Sequence, residues 1–299
     1  MIIIRLMGGL GNQMFQYAFG RRMSIINNTE LVLDDTLLLD RSLPNELVTH
    51  RNFELDIFKL CNYRWATNQE VFGFNGDPSA PIQRKIVRKL KNIIYPKKLI
   101  IQKFNEINPK YFLVKGNTCF VGRWQSVFYF NDVAEQIKQD FQINMALSDM
   151  VYDLQNKINS CNAVCIHIRR GDLVTSSIYS NTIGTVSLNY YNEAIEYMKK
   201  HIVRPVFFVF SDDIDWCKEN ISRSKDFIFI EKVIAGEKAE GHFFLMQQCK
   251  HFIISNSTFA WWAAWLASSE NKFVIYPKDW YKDLNYKNPK MCPKDWLSF

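Results

Sequence analysis

The chain has 299 residues, 47% of them hydrophobic and 15% aromatic, and its 37 basic and 30 acidic side chains leave a formal net charge of +7. That much apolar material supports a sizeable core and fits two domains or one large one. Nowhere do 18 apolar residues run consecutively, which excludes an ordinary membrane-spanning helix.

Residues 2–7, apolar but for Arg5, read as a short strand and run into Gly8-Gly9-Leu10-Gly11. Helical spacing of Met14, Phe15, Ala18, Phe19, Met23 and Ile26 then predicts a helix with one buried stripe. Residues 31–33 are a second strand, ending at Asp34-Asp35, so the chain opens with a β-α-β unit. Residues 73–81 are rich in Gly, Pro, Asn and Ser and read as a loop.

A basic amphipathic helix is predicted over residues 82–103. Arg84, Lys85, Arg88, Lys89, Lys91, Lys97, Lys98 and Lys103 lie there without an acidic neighbour, and apolar residues fall at helical spacing between them. Without these eight charges the chain would carry −1. The run reads either as a solvated face or as a peripheral contact with an anionic membrane surface or lipid diphosphate. Nucleic acid is not expected as a partner, since no recognised binding motif accompanies the charge.

Residues 120–124 read as a strand and residues 131–141 as a helix. Past a polar stretch at residues 142–160 the pattern becomes regular. Strands at residues 164–168, 206–210, 227–230, 252–254 and 273–276 alternate with helices, which predicts an α/β fold with a parallel sheet covered on its faces.

The seven cysteines form an odd set without a CxxC pair, which fits a reduced, intracellular protein. The chain enters a strand at Ile2 with no recognisable leader, so a cytoplasmic location is expected. None of the five histidines has metal-ligand spacing, and no metal is predicted.

In parallel α/β sheets, ligands bind beyond the carboxyl ends of the strands. Three predicted strand ends are polar: Arg169-Arg170-Gly171-Asp172, Ser211-Asp212-Asp213 and Asn256-Ser257-Thr258. Paired guanidinium groups suit a phosphate or diphosphate, and they equally suit a salt bridge with Asp172. Ser257 and Thr258 stand at a helix start, where hydroxyls and amides either cap the helix or bind an anion. Ser211-Asp212-Asp213 is likewise a capping signature. Gly11, Asn12 and Gln13 belong to a glycine turn that lacks both the third glycine of a dinucleotide site and the Lys-Ser/Thr of a P-loop. The turn permits close backbone approach to a ligand or is simply tight. His167 is the one histidine beside the arginines. The residues alone thus indicate an α/β protein for a phosphate-rich nucleotide ligand.

Four of these segments, together with a fifth, carry a closer resemblance. Gly8-Gly9-Leu10-Gly11-Asn12-Gln13-Met14-Phe15-Gln16-Tyr17, His167-Ile168-Arg169-Arg170-Gly171-Asp172, Phe210-Ser211-Asp212-Asp213 and the run from Ile254 to Trp262 resemble, in order, blocks of the bacterial α-1,2-fucosyltransferases of glycosyltransferase family 11. Gly122-Arg123-Trp124-Gln125-Ser126 is similar to another block. The resemblance implies a type B fold of two Rossmann-like domains facing a cleft, with residues 1–150 on the acceptor side and 151–299 on the donor side. It implies GDP-fucose as donor, inversion to an α-fucoside, no metal or other cofactor, and a galactose-terminated or lipid-linked glycan as acceptor. Arg169 is expected to stabilise the departing GDP and Arg170 to support the donor site. Ser211, Asp212, Asn256, Ser257 and Thr258 are expected to help bind the donor, with Gly11, Asn12 and Gln13 lining the cleft. Asp172 or His167 is the candidate base. A fucosyltransferase of other linkage and a non-catalytic GDP-sugar-binding protein are the alternatives. The chain departs from the family pattern at His242, where an acidic residue is usual and Glu240 is a substitute. It departs again at residues 181–187, and residues 36–120 match no family block.

Overall fold

The computed structural model describes residues 1–42, 49–75, 98–104, 106–222, 224–283, 285–286 and 290–299. The chain divides into two compact units, Met1–Gln142 and Ile143–Phe299.

The first unit contains β1 (Ile2–Arg5), α1 (Leu10–Ile26), β2 (Leu31–Asp34), β3 (Arg64–Trp65), α2 (Asn68–Asn75), β4 (Lys98–Ile101), β5 (Thr118–Val121) and α3 (Ala134–Asp140). Its strands pair in parallel in the order β3-β2-β1-β5-β4. The central strand β1 is buried throughout, as a parallel strand covered on both faces must be. The chain leaves β1 toward β2 on one side while β5 pairs on the other. The strand order therefore reverses between β1 and β5, the place where open α/β sheets form ligand crevices.

Three expectations change here. Residues 73–75, read as part of a loop, belong to α2, and residues 76–81 lie outside the described residues. Residues Lys98–Ile101 belong to β4, paired in register with β5 from Lys98 opposite Thr118 to Ile101 opposite Val121, and not to a basic helix. β-Branched Ile100 and Ile101 suit that edge strand. The predicted helix at residues 82–97 lies outside the described residues. The strand expected over 120–124 stops at Val121, because the Gln102 side-chain carbonyl accepts the amides of Arg123 and Trp124 at 2.9 and 2.8 Å in place of a neighbouring strand.

The second unit runs α4 (Asp149–Asn159), β6 (Asn162–Ile168), α5 (Gly171–Thr175), α6 (Ser177–Thr182), α7 (Leu188–His201), β7 (Pro205–Ser211), α8 (Ile214–Asn220), β8 (Phe227–Phe229), α9 (Glu240–Gln248), β9 (His251–Ile253), α10 (Thr258–Leu266), β10 (Val274–Tyr276) and β11 (Leu297–Ser298). The sheet order is β11-β10-β9-β6-β7-β8, again parallel throughout. Alternation along β6 sends Val164, Ile166 and Ile168 into one cluster with Tyr190, Tyr191, Ala194, Ile195 and Met198 of α7. His167 faces the other way, where Phe259 of α10 packs near it. The order reverses between β6 and β9, so the second switch point lies between the ends of those two strands. Among the described residues no helix is long and apolar enough to cross a membrane.

Candidate active site

Register brings the second unit's polar strand ends together. Ile166 pairs with Ile253 and Ile168 with Ser211, so the segments after β6, β7 and β9 leave the sheet side by side. Across the β6/β9 switch point, His167 Nδ1 and Ser255 Oγ are hydrogen-bonded at 2.9 Å. Tyr190 and Tyr191 of α7 donate to the carbonyls of Ile254, Ile275 and His167 just where the ladder runs out. These two tyrosines, and Ser255, were not singled out from the sequence, where they look like ordinary core and loop residues.

The two arginines have different surroundings. Arg169 makes a bidentate pair with Asp172, Nε to Oδ1 at 3.1 Å and Nη2 to Oδ2 at 2.8 Å. This engages two of the five guanidinium N–H donors in the bonds described, and the side chain is about a quarter exposed, at 26%. Arg170 is clamped. Its Nε donates to Asp213 Oδ2 at 3.0 Å, its guanidinium lies 3.9 Å from the centroid of the Trp216 ring, and its amide donates to Asp212 Oδ1 at 2.8 Å. Gly171 leaves room for that last contact, because a Cβ there would stand 2.7 Å from Asp212 Oδ2.

Ser211 and Asp213 complete the tie. The Ser211 hydroxyl accepts the Asp213 amide at 2.9 Å, and Asp213 caps α8 by accepting the Trp216 amide. Asp212 and Asp213 thus hold the ends of β6 and β7 against each other, with Ser211 bracing the Asp213 amide. Asn256 is also structural: its buried amide donates to the carbonyls of Gly184 and Trp280 at 3.0 and 3.2 Å, pinning two loops. Ser257 caps α10 by accepting the Ala260 amide, and Thr258 is the first residue of that helix, so the positive end of α10 opens beside the β9 terminus.

Burial and the nearby Arg169 charge push the His167 imidazole down to about 3. It is therefore neutral at ordinary pH and a poor base, a correction to its candidacy. His242 is also held below its usual range by burial, and its Nε2 is 3.2 Å from the Glu231 carbonyl. Glu240 is buried, and its carboxylate accepts the Lys238 amide at 2.8 Å.

The first unit corrects the reading of the glycine turn. Glu54 Oε2 accepts the Leu10 amide at 2.6 Å, so a carboxylate of the protein itself occupies the anion position at the start of α1. Gln13 is fully buried rather than cleft-lining. Its amide donates to the carbonyls of Gly8 and Asn52, both at 2.8 Å, and its oxygen accepts the Glu54 amide at 3.0 Å. Gly11 is buried in the first turn of α1. Asn12 Oδ1 accepts a bond of 2.7 Å from Gln125 Nε2. Replacing Gln13 with alanine removes the side-chain partner of three part-buried backbone groups and is expected to lower stability by about 2–3 kcal/mol. Urea unfolding checks this, with GDP affinity of the folded variant unchanged.

Among the described residues, no three His, Cys, Asp or Glu side chains gather as a metal site. Two parallel-sheet α/β units, the second with arginine and a hydroxyl-capped helix at its switch point, have the build of a glycosyltransferase. The chain belongs to glycosyl transferase family 11, whose model matches residues 1–298. It is 36% identical over 304 aligned residues to the α-1,2-colitosyltransferase of Escherichia coli, covering 99% of this chain and 98% of that one. It is 31% identical to the O-antigen biosynthesis glycosyltransferase WbnK of Escherichia coli, covering 98% of each chain. In three dimensions it is similar to the fucosyltransferase NodZ from Bradyrhizobium, with a TM-score of 0.52 at 14% identity, covering 96% of this chain and 95% of NodZ. The protein is thus a transferase of the family that contains α-1,2 glycosyltransferases, with the fold of a fucosyltransferase.

Proposed function

We propose that this protein is an inverting α-1,2-fucosyltransferase. It moves L-fucose from GDP-β-L-fucose to the 2-hydroxyl of a terminal β-galactoside, in a surface glycan such as an O-antigen. The observation that carries the reading is the β6/β9 switch point, where Arg169, just after β6, keeps guanidinium donors beyond its Asp172 pair and the segment after neighbouring β9 leads to the Ser257-capped start of α10. Arg169, Ser257 and Thr258 take the diphosphate, while Arg170, Ser211, Asp212 and Asn256 hold the loops that present them. As the anomeric C–O bond breaks, the electrons and negative charge pass to the departing GDP, and Arg169 stabilises that charge without a metal. The acceptor oxygen attacks from the opposite face and its proton goes to a base. Asp172 is the candidate, since its carboxylate lies beside that guanidinium. Residues 1–142 serve the acceptor. A lipid-linked acceptor would bring the protein to the cytoplasmic membrane face, with the positive charge of residues 84–103 as the attraction.

A second donor follows from the 36% identity to a colitosyltransferase. Colitose is L-fucose without its 3-hydroxyl, so the two GDP-sugars differ by one oxygen. A site that hydrogen-bonds the 3-hydroxyl rejects the deoxy sugar strongly, whereas an apolar site discriminates weakly. Competition between the two donors for one galactoside, read by product mass, is expected to favour fucose by at least about tenfold. A preference for colitose would replace fucose as the donor.

A further inference from the structure

The cover of the first sheet stops short of its outer strand β4. In the register of β4 with β5, Leu99 stands beside Cys119 and Ile101 beside Val121, all on one face of the sheet. Cys119 is fully buried on that face, in a cluster with Ile3 and Val32. Leu99 and Ile101, one strand further out, are 41% and 66% exposed. Parallel sheets ordinarily bury both faces, so an aliphatic pair left open on the outer strand is a departure. Phe104, in the turn after β4, is 45% exposed and extends the apolar surface. Single exposed apolar residues are ordinary, whereas a contiguous group with a polar rim marks an interaction site.

The rim is of one sign. Lys98 and Lys103 flank the pair in sequence and are exposed, and the guanidinium of exposed Arg123 lies 4.9 Å from the centroid of the Phe104 ring. Between Asp77 and Asp132 the sequence holds eleven basic side chains and a single acid, Glu106. That carboxylate is engaged within the fold, accepting from the Tyr111 hydroxyl at 2.9 Å and the Asn108 amide at 3.2 Å.

Charge and apolar exposure together select the occupant. A nucleic-acid backbone would pair with the lysines and Arg123 but gain little from Leu99 and Ile101. An anionic bilayer uses both. Its lipid phosphates attract the cations, and the apolar side chains enter the headgroup boundary, where binding strength follows buried apolar area plus electrostatic attraction. Ile101 and Phe104 lie at the carboxyl end of β4, the same edge of the sheet at which the β1/β5 switch point opens. A bilayer held there is on the ligand side of the first unit.

We infer that Leu99, Ile101 and Phe104, rimmed by Lys98, Lys103 and Arg123, are the surface by which this protein docks on an anionic lipid bilayer. The inference rests on the proposed membrane approach and deepens it by naming the side chains that make the contact. It is independent of the donor.

The test is co-sedimentation of the full chain with vesicles, without donor or acceptor. One set is phosphatidylcholine alone and the other is phosphatidylcholine mixed with phosphatidylglycerol. The wild-type protein should bind the mixed vesicles, more weakly as salt rises, and not the neutral ones. The double variant Leu99→Thr/Ile101→Thr keeps the net charge and suits a strand, and should bind about tenfold more weakly. Lys103→Gln/Arg123→Gln should lose about fivefold for each charge removed. Phe104→Ser, in an exposed turn, replaces the threonine pair should melting curves show that it folds poorly. Apolar variants that bind the mixed vesicles as wild type does overturn the assignment, as does binding that ignores lipid charge or no binding at all. A single-stranded oligonucleotide bound as tightly as the vesicles, and lost with the same substitutions, would also overturn it and make the partner a nucleic acid. Vesicle binding without fucosyl transfer would count against the fucosyl reading and leave the docking surface standing. Transfer to a free galactoside without vesicle binding would do the reverse.

Discussion

Replacing Arg169 with alanine is expected to slow fucosyl transfer by about 10²–10³-fold, the usual loss when one preorganised donor to a developing oxyanion is removed. The bidentate pair with Asp172 makes the effect larger than that of a surface charge. Alanine also removes the positive charge beside the Asp172 carboxylate, which then repels a diphosphate more strongly. GDP affinity should therefore fall together with kcat. Arg169→Lys keeps the charge but not the fork, so it should recover binding more than rate. Stability should change little, because the pair is partly exposed. Arg170→Ala should behave in the opposite sense. Its guanidinium joins Asp213 to the Trp216 ring, so its removal loosens the β6 and β7 ends. Steady-state kinetics and GDP titration of both variants, beside their melting curves, separate the two roles.

Acid should destabilise the folded chain, with His167 as a main cause. The group sits at about 3 when folded, against about 6.5 for a free imidazole. Between those values the unfolded chain binds a proton that the folded chain refuses, so stability falls as pH drops through the window and is level above it. At about 1.4 kcal/mol per pH unit, moving from pH 7 to pH 5 should cost about 2 kcal/mol from this residue alone. His242, held low by burial, acts in the same direction. His167→Gln, which can still reach Ser255, should flatten the slope while lowering stability at neutral pH. Urea unfolding at the two pH values checks this. A slope as steep in the glutamine variant as in wild type would remove His167 from the account. The same depression predicts that transfer rates show no histidine-like step between pH 6 and pH 7.

The second unit was more legible in the sequence than the first, for physical reasons. Its strands are continuous apolar runs flanked by helices of clear period, Leu188–His201 among them. Three strand ends that looked polar do lie at one sheet edge, because parallel strands all point the same way. What the sequence could not separate was a ligand contact from a support. Arg169 and Arg170 are adjacent and chemically identical, yet only the register with β7 decides that Asp212 and Asp213 hold the second. Asn256 and Gln13 look like ligand groups until their carbonyl partners, distant in sequence, are seen. Helix α4 was missed because its fully buried stripe is only Val151 and Ile158. Glu54 carried no signal as the cap of α1, being 44 residues from Leu10.

The most direct test of the central claim is GDP release from GDP-fucose in EDTA, with and without a β-galactoside acceptor, followed by linkage analysis of the product. The account predicts acceptor-dependent release in EDTA and a single α-1,2-linked fucoside. Release that requires an added divalent cation, or a fucoside of another linkage, would contradict it.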